Sequence, residues 1–232
     1  MRLDRYLAEM NAGTRSELKK RIRKGEVTVN GVCIRDADHQ VEEEDIVTLG
    51  GEEIAYHRYE YYLLHKPAGY VCTLDRSLQV TELIPEARKD VMPVGRLDKD
   101  TEGLLLLTND GQLAHKLISP RNHVEKLYYA ETDLPIPEAA IEAFAEGLEL
   151  EDFKAMPAKL QIPEERKAFL TICEGKYHQV RRMFAKMGCE VLYLRRERFD
   201  FLDLSGVPCG EHRLLNEEEV ALLKKHCEKT TD

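Results

Sequence analysis

Apolar positions near the front of the chain recur at helical spacing. Leu3, Leu7 and Met10 fall on one face of MRLDRYLAEM, the period of an amphipathic helix. Thr14 stands where a second helix needs a cap, Glu17 completes a capping box, and Leu18 and Ile22 supply the apolar side. Gly25 suits the stop. The period then shortens. Val27 to Val29 and Val32 to Ile34 read as strands joined by an Asn30-Gly31 turn, and Ile46 to Leu49 as another. Two helices and short strands over residues 1–50 make a complete small module, and Gly50-Gly51 with the polar stretch up to Glu60 predicts a linker over 51–60.

Residues 61–232 read as one larger α+β unit. Strands are expected at Tyr61 to Leu64, Tyr70 to Leu74, Leu104 to Thr108, Lys126 to Thr132 and Ala168 to Cys173, with a turn at Lys66-Pro67-Ala68-Gly69. Helices are expected at Gln112 to Ile118, from Pro137 to about Glu146, and at His178 to Met187. The last carries an apolar stripe of Val180, Met183, Phe184 and Met187, and Gly188 stops it. Asn216, with Glu219 three residues on, caps a final helix.

Composition narrows the class. Apolar residues at 43% and charged residues at 33% fit a globular protein. The front helix lacks the apolar core and cleavage site of a signal peptide, and Leu104 to Leu107 is far too short to span a bilayer. A cytoplasmic protein with no membrane association is expected. Six cysteines, none closer than sixteen positions to another, show neither zinc-site spacing nor a compact disulfide framework. The net charge of -9 argues against a nucleic-acid partner until its distribution is seen. Residues 1–35 hold nine basic and four acidic side chains, residues 36–60 one and nine, residues 131–174 four and eleven, and residues 175–213 eight and five. Two basic regions on an acidic body suggest local phosphate-facing surfaces.

The segment GRLDKDTEGLLLLTNDG, residues 95–111, is a dense polar loop leading into a core strand. Rigid scaffold and solvent meet at such a place, although a charged surface turn has the same composition. This run resembles the signature of the RsuA-type family of ribosomal RNA pseudouridine synthases. YYLLHKPAGYV resembles that family's first catalytic motif, EKLYYAE its tyrosine motif and EGKYHQVRRMFAKMG its basic helix motif, while Met1 to Leu49 resembles the S4 RNA-binding domain. The resemblance implies a small S4 domain at 1–50, then a catalytic domain at 61–232 built on a mixed, largely antiparallel sheet with flanking helices. It implies isomerisation of a uridine without cofactor or metal.

By the same resemblance Asp98 is the catalytic nucleophile or base, and Arg181 is its basic partner. Arg96 occupies the gap left by the flipped-out nucleotide, and Tyr128 stacks on the uracil. Tyr128 and Tyr129 alternate across a strand, so one is expected to face the core and the other a ligand. His178 reads as a structural group at a helix start. Asp100 and Glu102 form a glycosidase-like pair only if their separation in space allows it. In the front module Arg15, Lys19, Arg23 and Lys24 are the expected phosphate contacts, with Arg2 and Arg5 as further candidates.

Three positions depart from the family pattern: His65 where asparagine is usual, Thr14 for serine, and Asp200 where a glycine is usual. The stretches Tyr177 to Val180, Arg182 to Ala185 and Arg196-Glu197-Arg198 look closer to the small-subunit branch. So does a chain that stops at Asp232 without a basic tail. A monomer acting on a 16S rRNA uridine is expected. The alternatives are the same chemistry on 23S rRNA and a non-catalytic rRNA-binding assembly factor.

Overall fold

The computed structural model describes residues 1–42, 44–73 and 78–228. Leu74, the expected end of a strand, and Asp232 lie outside them. The chain divides into two compact units, one of residues 1–60 with 86–91 and one of residues 61–85 with 92–232.

In the first unit, helices α1 (Leu3–Glu9) and α2 (Arg15–Arg23) pack with strands β1 (Val27–Val29), β2 (Val32–Ile34), β3 (Val47–Leu49) and β4 (Glu52–Glu53). The strands form an antiparallel sheet in the order β2-β1-β3-β4. Thr14 caps α2 as expected: its hydroxyl accepts from the Glu17 amide at 3.3 Å, and the Glu17 carboxylate accepts from the Thr14 amide at 3.0 Å. Asn30 and Gly31 both take positive φ, 51° and 79°, the geometry that closes a two-residue hairpin. Leu3, Tyr6, Leu7, Leu18, Ile22, Val27 and Val47 bury together beneath the sheet. The stretch 51–60, read from the sequence as a linker, carries β4 and Tyr56, whose ring sits 5.2 Å from that of Tyr6 and whose hydroxyl donates to Glu9 at 2.8 Å.

The second unit is built on a nine-stranded sheet among the described residues. Its strands are β5 (Tyr61–Lys66), β6 (Met92–Pro93), β7 (Glu102–Thr108), β8 (Lys126–Thr132), β9 (Lys159–Glu164), β10 (Lys167–Ile172), β11 (Val191–Phe199), β12 (Leu202–Asp203) and β13 (His212–Leu214). Its helices are α3 (Gly111–Ile118), α4 (Ala139–Glu146), α5 (Gln179–Lys186) and α6 (Glu217–Glu228). The order β13-β5-β7-β11-β8-β10-β9 is antiparallel throughout except for the parallel pair β7 and β11. This is the mixed, largely antiparallel α+β architecture expected. Leu104 to Leu107 are all buried, because both faces of β7 are covered.

Two expectations change. Tyr70 to Val71 and the two residues after them do not form a strand. Val71 donates to the Leu78 carbonyl at 2.8 Å and accepts from Val80 at 3.0 Å, an isolated bridge to Gln79 instead of a ladder. Conversely, β11 lies at the centre of the sheet without a strong signal in sequence, because Arg195, Arg196, Glu197 and Arg198 break its apolar alternation.

Candidate active site

The loop before β7 is held in place by one buried amine. Lys66, at the end of β5, is fully buried and donates to the carbonyls of Thr101 at 2.7 Å, Pro67 at 3.1 Å and Lys99 at 3.3 Å. Burial pushes its pKa down, and the Asp98, Asp100 and Glu102 carboxylates oppose that shift. The Thr101 amide closes back on the Asp98 carbonyl at 3.1 Å, and Gly69 donates to Lys99 at 2.7 Å. The loop is thus tied to β5 and to the turn after it. Gly103 then lets β7 run hard against β11. Its φ is 109°, and a Cβ there would lie 2.3 Å from the Arg196 carbonyl oxygen.

This loop presents Asp98 to a cleft of about 60 Å³ whose lining includes Arg96, Thr101, Tyr128, Lys176, His178 and Arg181. Asp98 is half-buried. Arg181 Nε stands 3.9 Å from its Oδ2, and His178 Nε2 stands 3.4 Å from its Oδ1. Arg181 is anchored elsewhere, giving Nη1 to the Val191 carbonyl at 2.7 Å and Nη2 to Asp100 at 2.8 Å. Among the described residues three buried side-chain polar atoms lack a hydrogen-bond partner. Two of them, Thr101 Oγ1 and Arg181 Nε, belong to residues lining this cleft, and the third is Arg196 Nη2. Of these, Arg181 Nε is the guanidinium atom that faces the Asp98 carboxylate.

The fold brings Asp98, Arg181, Tyr128 and Arg96 to one cleft, Arg96 at its exposed rim. Of the two tyrosines that alternate along β8, Tyr128 lines the cleft and Tyr129 does not, but the division between core and ligand face is not clean. Tyr128 is 7% exposed and yet lines the cleft. Tyr129 points to the opposite face, packs on Phe169 and Tyr193, and donates to Glu131 at 2.6 Å. Asp100 and Glu102 do not form a catalytic pair: Asp100 holds Arg181, and Glu102 accepts from the Tyr193 hydroxyl at 2.7 Å.

Sequence reasoning missed two residues. His178, read as structural, touches Asp98. Arg196, from the unrecognised strand β11, is 2% exposed, donates to the Leu104 carbonyl at 2.6 Å and reaches the Tyr128 hydroxyl at 3.4 Å. The departures are accommodated. His65 Nδ1 meets the Val207 carbonyl at 2.8 Å. Asp200 adopts φ 56°, the left-handed turn that favours glycine, and its carboxylate meets His226 Nδ1 at 2.6 Å.

On α2, Arg15, Lys19 and Arg23 follow at four-residue spacing and so share a stripe. Arg15, Arg23 and Lys24 are exposed, whereas Lys19 sits 3.6 Å from the buried Asp4 carboxylate. Arg2 and Arg5 are engaged by Asp4 and Glu9.

Residues 60–186 match the RNA pseudouridylate synthase family, and residues 1–47 match the S4 domain. The chain is 40% identical to ribosomal small subunit pseudouridine synthase A of Vibrio cholerae, over 97% of this chain and 100% of that one. It is also 40% identical to YtzG, an uncharacterized RNA pseudouridine synthase of Bacillus subtilis, over 97% and 99%. Among solved structures it resembles a pseudouridylate synthase with 38% identity and a TM-score of 0.68, over 96% of this chain and 99% of that one. No helix among the described residues is long and apolar enough to cross a membrane. The mixed sheet, with an S4 module ahead of it in sequence, agrees with the comparisons: the chain belongs to the RNA pseudouridylate synthase family.

Proposed function

We propose that this protein isomerises a single uridine of 16S ribosomal RNA to pseudouridine, with Asp98 as nucleophile or base toward the ribose. The reaction breaks the bond from the ribose C1′ to N1 of uracil and forms one from C1′ to C5. The C5 proton leaves and N1 gains one, so atoms and charge balance within the substrate. The observation that carries the reading is the placement of the Asp98 carboxylate in a cleft beside Arg181 and Tyr128. Arg181 steadies that carboxylate from an anchored position. Tyr128 offers its ring to the uracil, and Arg96 at the rim fills the gap that base flipping leaves in the RNA.

The S4 module, taken as residues 1–50, supplies phosphate contacts through Arg15, Lys19, Arg23 and Lys24, which position the RNA without reading its sequence. The small-subunit assignment follows the name of the Vibrio cholerae relative, whose length the chain matches. A cytoplasmic monomer fits the reading. The test maps pseudouridine at single-nucleotide resolution in rRNA from a strain lacking the protein, then restores it with wild type or with Asp98→Ala. One 16S position should lose its pseudouridine and regain it with wild type alone. Loss confined to 23S rRNA moves the substrate assignment, and full restoration by Asp98→Ala removes Asp98 from the chemistry.

A further inference from the structure

Tyr177 is 74% exposed, more than any other large hydrophobic side chain among the described residues. One face of its ring is not free: it stacks on His178 with centroids 3.8 Å apart and planes within 18° of parallel. His178 in turn is the imidazole 3.4 Å from Asp98. The exposed ring of Tyr177 is therefore stacked on a residue that lines the cleft and stands beside the Asp98 carboxylate.

The backbone there is held in a costly conformation. His178 has φ 48°, in the left-handed region that non-glycine residues seldom occupy, and such residues persist where their surroundings over-determine them. Those surroundings are buried hydrogen bonds. Gln179, 3% exposed, accepts from the Lys176 amide at 2.9 Å and donates to Glu174 at 2.6 Å; Glu174, 4% exposed, also accepts from the Met156 amide at 2.7 Å. An aromatic ring displayed to solvent on a segment fixed in this way loses little conformational entropy on binding. Lys176, its neighbour in sequence, and Arg96 are exposed cations that line the same cleft as His178. Aromatic faces interleaved with cations are how proteins hold single-stranded nucleic acid, because every base offers a π-face.

We propose that Tyr177, backed by His178, is a nucleobase platform: a base flanking the target uridine stacks on its outer face and holds the strand while the target enters the cleft. The proposal rests on the functional reading above and extends it to a neighbouring nucleotide.

The test compares wild type with Tyr177→Ala and Tyr177→Phe. Affinity and turnover are measured on a 16S rRNA transcript, and fluorescence on a uridine-centred single-stranded heptaribonucleotide with 2-aminopurine on one side or the other of the uridine. Wild type should quench 2-aminopurine on one side. Tyr177→Ala should lose that quenching and bind the transcript roughly 5- to 100-fold more weakly with an unchanged salt dependence, since the tyrosine neutralises no phosphate. Tyr177→Phe, which keeps the ring, should match wild type. Unchanged affinity and quenching in Tyr177→Ala, or an equal loss in Tyr177→Phe, would overturn the platform. Quenching by wild type with no uridine ever isomerised would instead overturn the enzymatic reading and leave the platform standing.

Discussion

Arg181 holds its Nε 3.9 Å from Oδ2 of Asp98 while spending both terminal nitrogens elsewhere, on the Val191 carbonyl and the Asp100 carboxylate. The planar guanidinium is oriented by β11 and by the loop, so the direction of Nε is set before any ligand arrives. Contacts of this length in an unliganded site commonly tighten as the reaction complex forms.

Arg181→Lys should therefore fail to substitute, because one ammonium on a flexible stem cannot meet three acceptors in fixed directions. Single-turnover measurement should show kcat down by roughly 100- to 1000-fold, with the affinity for RNA within a few fold of wild type. Asp100→Asn, which weakens one anchor of the guanidinium and leaves the Val191 contact, should lower the rate far less. Wild-type turnover in Arg181→Lys would show that charge alone, without orientation, is sufficient.

Gly103→Ala should destabilise the second unit by at least about 2 kcal/mol, because a Cβ there meets the Arg196 backbone at 2.3 Å and the φ of 109° is unfavourable for any side chain. Arg196 is the strand partner of Gly103 in the parallel register of β7 with β11. The clash therefore cannot be relieved by rotating a side chain. Thermal melting should fall by several degrees, and an unchanged melting temperature would mean that the two strands separate more easily than their packing implies.

Lys126 carries a pH dependence that can be isolated. It is buried, donates to the Val124 carbonyl at 2.9 Å, and its pKa is lowered to about 8, first by desolvation and then by neighbouring Arg196. An unfolded lysine titrates near 10.5, so between these values the unfolded chain binds more protons than the folded one and stability rises with pH. Below about pH 8 both states are protonated and the burial penalty is constant. The stability of wild type relative to Lys126→Met should thus improve by about 3 kcal/mol between pH 7 and pH 11. Denaturant titrations at several pH values measure it, and a difference that does not move with pH would show that the amine is not desolvated.

On α2 and at its C-cap, replacing Arg15, Arg23 or Lys24 by Gln should lower the slope of log affinity against log salt by about 0.7 to 0.9 for each phosphate left without its cation. Lys19→Gln should also perturb folding, because Lys19 sits beside the buried Asp4, whose pKa burial pushes up but the hydrogen bond and charge of Arg2, with Lys19 and Arg15, bring down on balance. Binding titrations across a salt series, paired with melts, separate the two effects. Equal slopes for all variants and wild type would remove α2 from the RNA contact.

Much of this protein is legible along the chain because it depends on neighbours in sequence. The Thr14 to Glu17 capping box, the Asn30-Gly31 turn, the apolar stripe of α5 and the Asn216 cap of α6 are local hydrogen bonds or periodicities, and each appears where its residues predict it. The run from Gly95 to Gly111 stands out through its resemblance to a family signature, since a charged surface turn has the same composition, and Asp200 takes a left-handed turn at a position where a glycine is usual. Contacts that close only across the sheet were decided by the tertiary structure. Arg181 meets Asp98 because α5 and the loop before β7, distant in sequence, converge on one cleft, and no spacing encodes that distance. The same convergence takes His178 from a helix start to the side of the carboxylate. It also makes the wall of the core and the wall of the cleft a single surface at Tyr128. The charged residues of β11 hide a central strand from any reading of hydrophobic period, because what buries Arg196 is the Leu104 carbonyl and the rings of Tyr128 and Phe199, all supplied by other strands or later residues. A one-dimensional pattern records which side chains avoid water; which polar groups find one another is settled by where the strands are laid.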